Sequence, residues 1–193
     1  MACPEATSGP GDIVVRAARV DECGRLDDVE RDGDRRYAGY DGIPAGFDDV
    51  VAPSVLQAGR REGRLWVAVT MAGGGTGGDS DDGEIIGFVL AQTVEGSAHL
   101  AQLSVRLSWQ GQGVGRRLVE TVVGWAREKA MDRLTLCTFS DVGWNRPLYE
   151  HLGFSVLPGE RWTPGLRAVF ESDGPLSLDL GRRVVMVRDL PGP

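Results

Sequence analysis

Residues 98–154 read AHLAQLSV-RLSWQGQGVG-RRLVETVVGWAREKA-MDRLTLCTF-SDVGWNRPLYEHLGF. Leu100 to Val105 and Arg133 to Phe139 are rich in β-formers and predict strands. Between them Val114, Leu118, Val122, Ala126 and Ala130 recur every four residues, with Val119 and Val123 beside them. That spacing lays one apolar face along a helix of about four turns. Strand, helix, strand implies a parallel crossover within one sheet. A short helix carrying Tyr149 then follows the second strand.

The first strand meets the helix through Gln110-Gly111-Gln112-Gly113-Val114-Gly115. Glycine tolerates positive φ and lets a ligand approach the backbone closely. A helix start leaves its first N–H groups unpaired at the positive end of the dipole, which suits a phosphate. Arg116 and Arg117 follow and can add charge-assisted hydrogen bonds. A nucleotide P-loop would need Gly-Lys-Ser/Thr, and none is here. A dinucleotide fingerprint starting at Gly111 would need glycine at 116, which is Arg116. That spacing argues against a nicotinamide oxidoreductase.

Gln110-x-x-Gly113-x-Gly115 resembles the Q/R-x-x-G-x-G/A signature of the GCN5-related N-acetyltransferase (GNAT) superfamily. Asn145-Arg146-Pro147-Leu148-Tyr149-Glu150-His151-Leu152-Gly153-Phe154 resembles the N…Y-x-x-x-G-F segment of the same superfamily. The resemblance is sharpest from about Leu100 to Phe154. It implies an α/β (α+β) fold, a mixed β-sheet flanked by helices. It also implies acetyl-coenzyme A as cosubstrate, no metal, and an amine acceptor in a small molecule or peptide. Its pyrophosphate would rest on the backbone of Gly111, Gln112, Gly113, Val114, Gly115 and Arg116, with Gln110 a contact or a turn former. Leu103 and Val105 would offer backbone groups where their strand splays from its neighbour, so that the pantetheine arm adds like a further strand. Asn145 would contact that arm, although its spacing of four to the tyrosine is shorter than is common. Tyr149 would protonate the departing thiolate, a task suited to a phenol.

Outside this unit, Ile13–Ala17 predicts a first strand and Asp21 can cap a helix supported by Leu26 and Val29. The polar run Glu30 to Tyr37 reads as a solvated face. By resemblance it overlies the acceptor site and makes Glu30, Tyr37 and Tyr40 substrate-contact candidates. Asp48 to Gly59 predicts a second helix with Pro53 in its first turn. Leu65–Thr70 and Glu84–Ala91 predict a hairpin around the glycine-rich residues 72–83. Ser155 to Leu157 starts another strand, 158–174 reads as loop or partial helix, and Arg183–Arg188 is a last strand. The expected order is β-α-α-β-β-β-α-β-α-β-β. Residues 1–11 predict a disordered tail and 12–193 one domain.

A chain of 193 residues with 41% hydrophobic and 25% charged residues can bury one real core. No apolar run suits a membrane span and no secretory signal opens the chain. Cys3, Cys23 and Cys137 are odd in number and lack metal-ligand spacing, which fits a reduced, cytoplasmic protein, with Cys137 a small buried side chain. A net charge of −7 argues against a nucleic-acid partner and suits either solubility or a cationic acceptor. A homodimer is compatible with this reading.

The general base stays open at this stage. His99, Glu30, Glu84 and Asp141 all qualify by type, and alternation sends His99 and Gln102 to opposite faces. Two functions compete: a turning-over N-acetyltransferase, and a silent acyl-coenzyme A sensor of the same fold, which would have no need of the tyrosine.

Overall fold

The computed structural model describes residues 12–40, 50–71, 83–172 and 182–190. The expected N-terminal tail, nearly all of the glycine-rich 72–83 segment and the start of the second predicted helix at Asp48 lie outside them. The strands are β1 (Ile13–Ala17), β2 (Leu65–Thr70), β3 (Ile85–Val94), β4 (Ser97–Val105), β5 (Arg133–Phe139), β6 (Ser155–Val156) and β7 (Arg183–Asp189). The helices are α1 (Leu26–Asp34), α2 (Pro53–Arg61), α3 (Val114–Glu128), α4 (Asn145–His151) and α5 (Pro164–Ser172). The strands form one seven-stranded sheet in the order β1-β2-β3-β4-β5-β7-β6.

All pairs are antiparallel except β4 and β5, the two strands joined through α3. The expected crossover and the β2–β3 hairpin are therefore present. Helix α3 buries Val114, Leu118, Val119, Val122, Val123 and Ala126 against Ile86, Val89, Leu100, Leu134, Leu136 and Met186. The other face of the sheet is covered in two halves. Leu26 and Val29 of α1 and Leu56 of α2 pack on Val67, Phe88 and Leu90. Leu166 and Phe170 of α5 pack on Val185 and Val187.

Several expectations are corrected. Helix α3 ends at Glu128 because Ala130 takes a left-handed φ of 54° and Met131 N–H closes back on Ala126 O at 3.0 Å. Asp21 caps nothing: a 3-10 turn, Cys23–Arg25, leads into α1, whose N-cap is Arg25. Glu22 does the local work, accepting from the Arg19 N–H at 2.7 Å and pairing with Arg16 at 2.6 Å. The polar run is a solvated face in part: it forms the last turn and a half of α1 and the turn after it, with Arg31, Asp34, Arg35 and Arg36 exposed, whereas Glu30 and Gly33 lie on the buried stripe with Leu26 and Val29. Within 158–174, read as loop or partial helix, residues 164–172 form α5. Cys137 is only half-buried.

Gly33 sets how closely α1 approaches β4. A Cβ there would stand 2.7 Å from the Val105 carbonyl oxygen, a backbone atom. Glycine costs about 1 kcal/mol against alanine within a helix, so its presence answers the contact and not the helix. Gly33→Ala should therefore lower unfolding free energy by about 1–2 kcal/mol in urea titrations, despite the better helix former. A gain in stability would show that α1 is free to ride away from β4.

Candidate active site

The β4–β5 ladder is short. It holds three pairs, Ala98–Leu134, His99–Thr135 and Leu100–Leu136, and then stops. Beyond it β5 continues to pair with β7 through Phe139, and β4 with β3 through Val105. The facing edges from Ala101 and from Cys137 onward have no partner in this sheet. The cause is local. Leu90 pairs with Gln102 and Ala91 with Leu100, so Ala101 is an extra residue in β4, a β-bulge that bends the strand. The result is a V-shaped slot with bare backbone on both sides.

The bulge also resets the alternation. Leu100 and Leu103 face α3, whereas Ala101 packs on the α1–α2 cluster and Gln102 bonds to Glu30 of α1. His99 lies on the face away from Leu134 and Leu136, so it shares a face with Gln102, contrary to simple alternation. His99 is 1% exposed and its Nδ1 lies 2.8 Å from Thr135 Oγ1. That hydroxyl gives its one proton to Ala98 O at 3.2 Å, so Nδ1 carries the histidine proton. Burial, helped by Arg183, lowers the His99 pKa to about 4. His99 is thus a neutral cross-strand tie at the vertex of the slot and not a base at its mouth.

The glycine turn closes the wide end of the slot. Gly111 and Gly113 hold φ of 77° and 81°, and Gly113 caps α3 with no side chain bonded to the opening amides. Val114 is buried, Gly115 half-buried, and Gly111, Gln112, Gly113 and Arg116 are exposed. Gln112 bonds only to the Ser108 carbonyl, at 2.8 Å. Arg117 reaches back to Ile13 O at 2.9 Å, whereas Arg116 has no partner among the described residues. The Gln110 amide is committed within the protein. Nε2 donates to Val105 O at 2.9 Å and Gly33 O at 3.1 Å, and Oε1 accepts from Arg36 at 3.0 Å. Of its two expected roles, this geometry favours the turn former. Leu103 and Val105 are half-buried, and because Arg106 N–H bonds Ile86 O at 2.8 Å the antiparallel alternation turns their main-chain groups away from β3, toward the slot.

Helix α4 forms the opposite lip. Tyr149 packs edge-on against Phe154, ring centres 5.8 Å apart. Its hydroxyl makes no hydrogen bond to the described residues. Burial pushes the phenol far above its ordinary pKa, and Tyr37 adds to this, so Tyr149 keeps its proton at neutral pH. Asn145 is buried and spans to α1's side: Nδ2 donates to Tyr37 Oη at 3.0 Å, and that hydroxyl donates to Oδ1 at 3.2 Å. Tyr37 leans on Phe139 and Trp144, and Tyr40 on Phe139, as an aromatic wall at the end of β5.

The remaining base candidates are engaged. Glu30 is buried and accepts from Gln102 at 2.6 Å and from the Val51 N–H at 3.1 Å. Glu84 pairs with Arg106 at the surface, 3.4 Å away. Asp141 holds Tyr40 and Arg182, and the Tyr40 hydroxyl beside it keeps its carboxyl low. Sequence reading passed over Asp34, which ends α1 on the slot's lip. Its place four residues after Glu30 and three before Tyr37, at helical spacing, was the available signal. Two hollows of about 460 Å³ and 480 Å³ lie under α2 and beside the β3–β4 turn. Neither touches Tyr149, Asn145 or the glycine turn, so neither is the reacting centre.

A family model described as "Acetyltransferase (GNAT) family" matches residues 54–154, just over half of the chain. The chain belongs to that family. Solved structures agree on the fold of this GNAT chain. N-acetylglutamate synthase from Neisseria gonorrhoeae, complexed with coenzyme A and N-acetyl-glutamate, superposes with a TM-score of 0.67 at 16% identity. The match covers 95% of this chain and 36% of the synthase, so the chain spans about a third of that protein's length. The PaiA N-acetyltransferase of Thermoplasma acidophilum, in complex with coenzyme A, gives 0.66 at 15% identity, covering 92% and 99%. The ribosomal-protein-S18-alanine N-acetyltransferase of Escherichia coli gives 0.61 at 14%, covering 94% and 96%.

The titration of His99 has a consequence for stability. Its folded pKa lies below the ordinary 6.5, so the unfolded chain binds the extra proton first as pH falls. Stability should drop between about pH 6.5 and pH 4, by up to ~3 kcal/mol. His99→Gln, which keeps a polar neighbour for Thr135, should flatten this part of the stability profile when melting is followed by circular dichroism. An equally steep fall in the variant would assign the acid sensitivity elsewhere.

Proposed function

We propose that this GNAT protein moves an acetyl group from acetyl-coenzyme A to a primary amine of a small molecule or peptide. The observation that carries this reading is the parted β4–β5 edge, lying between the uncapped start of α3 and the unbonded hydroxyl of Tyr149. The residues fit the cosubstrate. The amides from Gly111 to Arg116 sit at a helix start that no side chain caps, with two left-handed glycines and, in Arg116, a cation unpaired among the described residues, which suits a diphosphate. The edge of β4 from Ala101 onward, unpaired with β5 and occupied among the described residues only at Val105 O by Gln110, suits an amide-bearing chain laid alongside it.

When bound, acetyl-coenzyme A supplies an acyl group already activated as a thioester. The protein's residues then have three tasks. Backbone groups at Leu103 and Val105 hold and polarise the acyl carbonyl. Asn145, fixed by Tyr37, orients the arm at the slot's mouth. Tyr149, half-buried and with its pKa raised, keeps its proton and gives it to sulfur only as negative charge develops there. A silent acyl-coenzyme A sensor would have no use for that unbonded phenol. The acceptor class draws on the neighbours' names, which speak of N-acetyl-glutamate and of an alanine amine. No described helix is long and apolar enough to cross a membrane.

Acetyl-coenzyme A should raise the melting temperature of the protein in proportion to the logarithm of its concentration, and NAD should not. An unmoved melting curve would sink the cosubstrate assignment. Tyr149→Phe should cut kcat for thiol release by about a hundredfold while leaving that thermal shift intact. Full turnover in the variant would leave Tyr149 with a packing role alone.

A further inference from the structure

We propose that Asp34 receives the acceptor's ammonium group at the mouth of the slot and takes its proton. The inference rests on the acetyl-transfer reading above and assigns the proton acceptor that reading lacks.

The backbone around Asp34 is held from both sides. Gly33 seats on Val105, and Gln110 Nε2 bonds both Gly33 O and Val105 O, at 3.1 Å and 2.9 Å. Asp32 Oδ2 accepts from the Leu107 N–H at 2.9 Å. Two residues beyond Asp34, Arg36 bonds to Gln110 and lies over Trp144, 4.7 Å from the ring centre. The end of α1 is thus fastened to the end of β4, where the glycine turn begins.

The carboxylates around the slot differ in what they hold. Asp32 accepts from Arg35 and from the Leu107 N–H, Glu30 from Gln102 and the Val51 N–H, and Asp141 from Tyr40 and Arg182. Asp34 makes no hydrogen bond or ion pair with the described residues. The cations beside it in sequence, Arg35 and Arg36, turn instead to Asp32 and to Gln110. A carboxylate left open next to two arginines that turn away has room for a cation from outside.

Its strength as a base also fits. Asp34 is exposed to solvent on one side, as an incoming ammonium requires, and the protein massed on the other side of the carboxyl raises its pKa to about 6. At pH 7 it is mostly ionised. The change from 3.8 makes it a better proton acceptor by roughly a hundredfold. The other ionisable groups near it are Glu30 one turn before it, Asp32, Arg35, Arg36 and Tyr37 on its own segment, and Tyr149 of α4 on the opposite lip. Asp34 in turn helps push the Tyr37 phenol up, second to burial. On β4, Gln102 and Ser104 carry no charge.

One proton passes from the ammonium to an Asp34 carboxylate oxygen. The freed nitrogen lone pair forms the C–N bond at the acyl carbon while the C–S bond breaks. Sulfur takes the Tyr149 proton. The second proton shed by nitrogen as the amide forms restores Tyr149, and Asp34 releases its own to water. The net release is one proton.

The test uses Asp34→Asn and Asp34→Glu in the full chain, with ethylamine as the acceptor probe. In the protein without ligand, a carboxyl carbon signal lost in Asp34→Asn should titrate near pH 6 by NMR. Raised folded pKa means that the ionised form is the penalised one. Stability from this group is complete below about pH 4 and lost as pH rises through 6. Asp34→Asn should therefore melt progressively higher than wild type between pH 4 and pH 7. With acetyl-coenzyme A bound, wild-type thiol release with ethylamine should rise through an inflection near pH 6. Asp34→Asn should be about a hundredfold slower with no inflection, its acetyl-coenzyme A thermal shift unchanged, and Asp34→Glu should recover part of the rate. The proposal is overturned if Asp34→Asn keeps the rate and the inflection. It is overturned equally if wild type, shown to hold acetyl-coenzyme A, releases no extra thiol with ethylamine. A wild type that shows no thermal shift with acetyl-coenzyme A fails at the earlier reading instead, and this assignment falls with it.

Discussion

Strand β4 cannot satisfy two neighbours at once over its full length. It stays with β3 to Val105 and abandons β5 after Leu100, and the bulge at Ala101 is where the choice is made. Unpaired strand edges inside a sheet are costly unless something else bonds to them. Here the cost creates an opening whose two walls are main chain. The core tolerates it because each wall is braced from its far side, β4 by α1 and α3 and β5 by its full-length pairing with β7.

The side chains around the opening divide into braces and tools. His99, Gln110, Glu30 and Asp32 are polar but spent: each bonds one element to another and thereby holds the slot's shape. Besides the permanent cation of Arg116, Tyr149 and Asp34 keep a functional group unbonded among the described residues. They come from opposite lips, α4 and the end of α1, and both are lifted in pKa by the protein around them. One consequently retains a proton and the other is ready to accept one near neutrality. Such a divergence of environment between two titratable groups is what separates acid from base in a shared site.

The aromatic wall of Tyr37, Phe139 and Trp144 ties these halves together. Tyr37 belongs to the turn after α1 but bonds to Asn145 on α4, so the lips are joined by a hydrogen-bonded bridge near the reacting end. A substituent on the acceptor would meet rings rather than charge on that side. Aromatic surfaces favour both apolar and cationic groups, which accords with an amine approaching as its ammonium.

Local sequence was enough for the periodic elements, though not for the start of α1 or the end of α3. Period-four valines and leucines announced α3, β-formers announced β4 and β5, and Gly111 and Gly113 marked a turn whose positive φ favours glycine. The resemblance in Gln110–Gly115 and Asn145–Phe154 placed the family, and the family implied the succession of elements apart from α5. What the chain folded back upon itself decided is different in kind. A bulge is set by competition between ladders, so no window of residues displays Ala101 as the extra one, and His99 changed face with it. Glu30 to Tyr37 looked solvated because charge is visible in sequence, whereas the partners that absorb it, Gln102, Leu107, Gln110 and Asn145, lie about seventy or more residues away. Asp34 stood out only by elimination, once those long-range bonds had claimed every carboxylate around it.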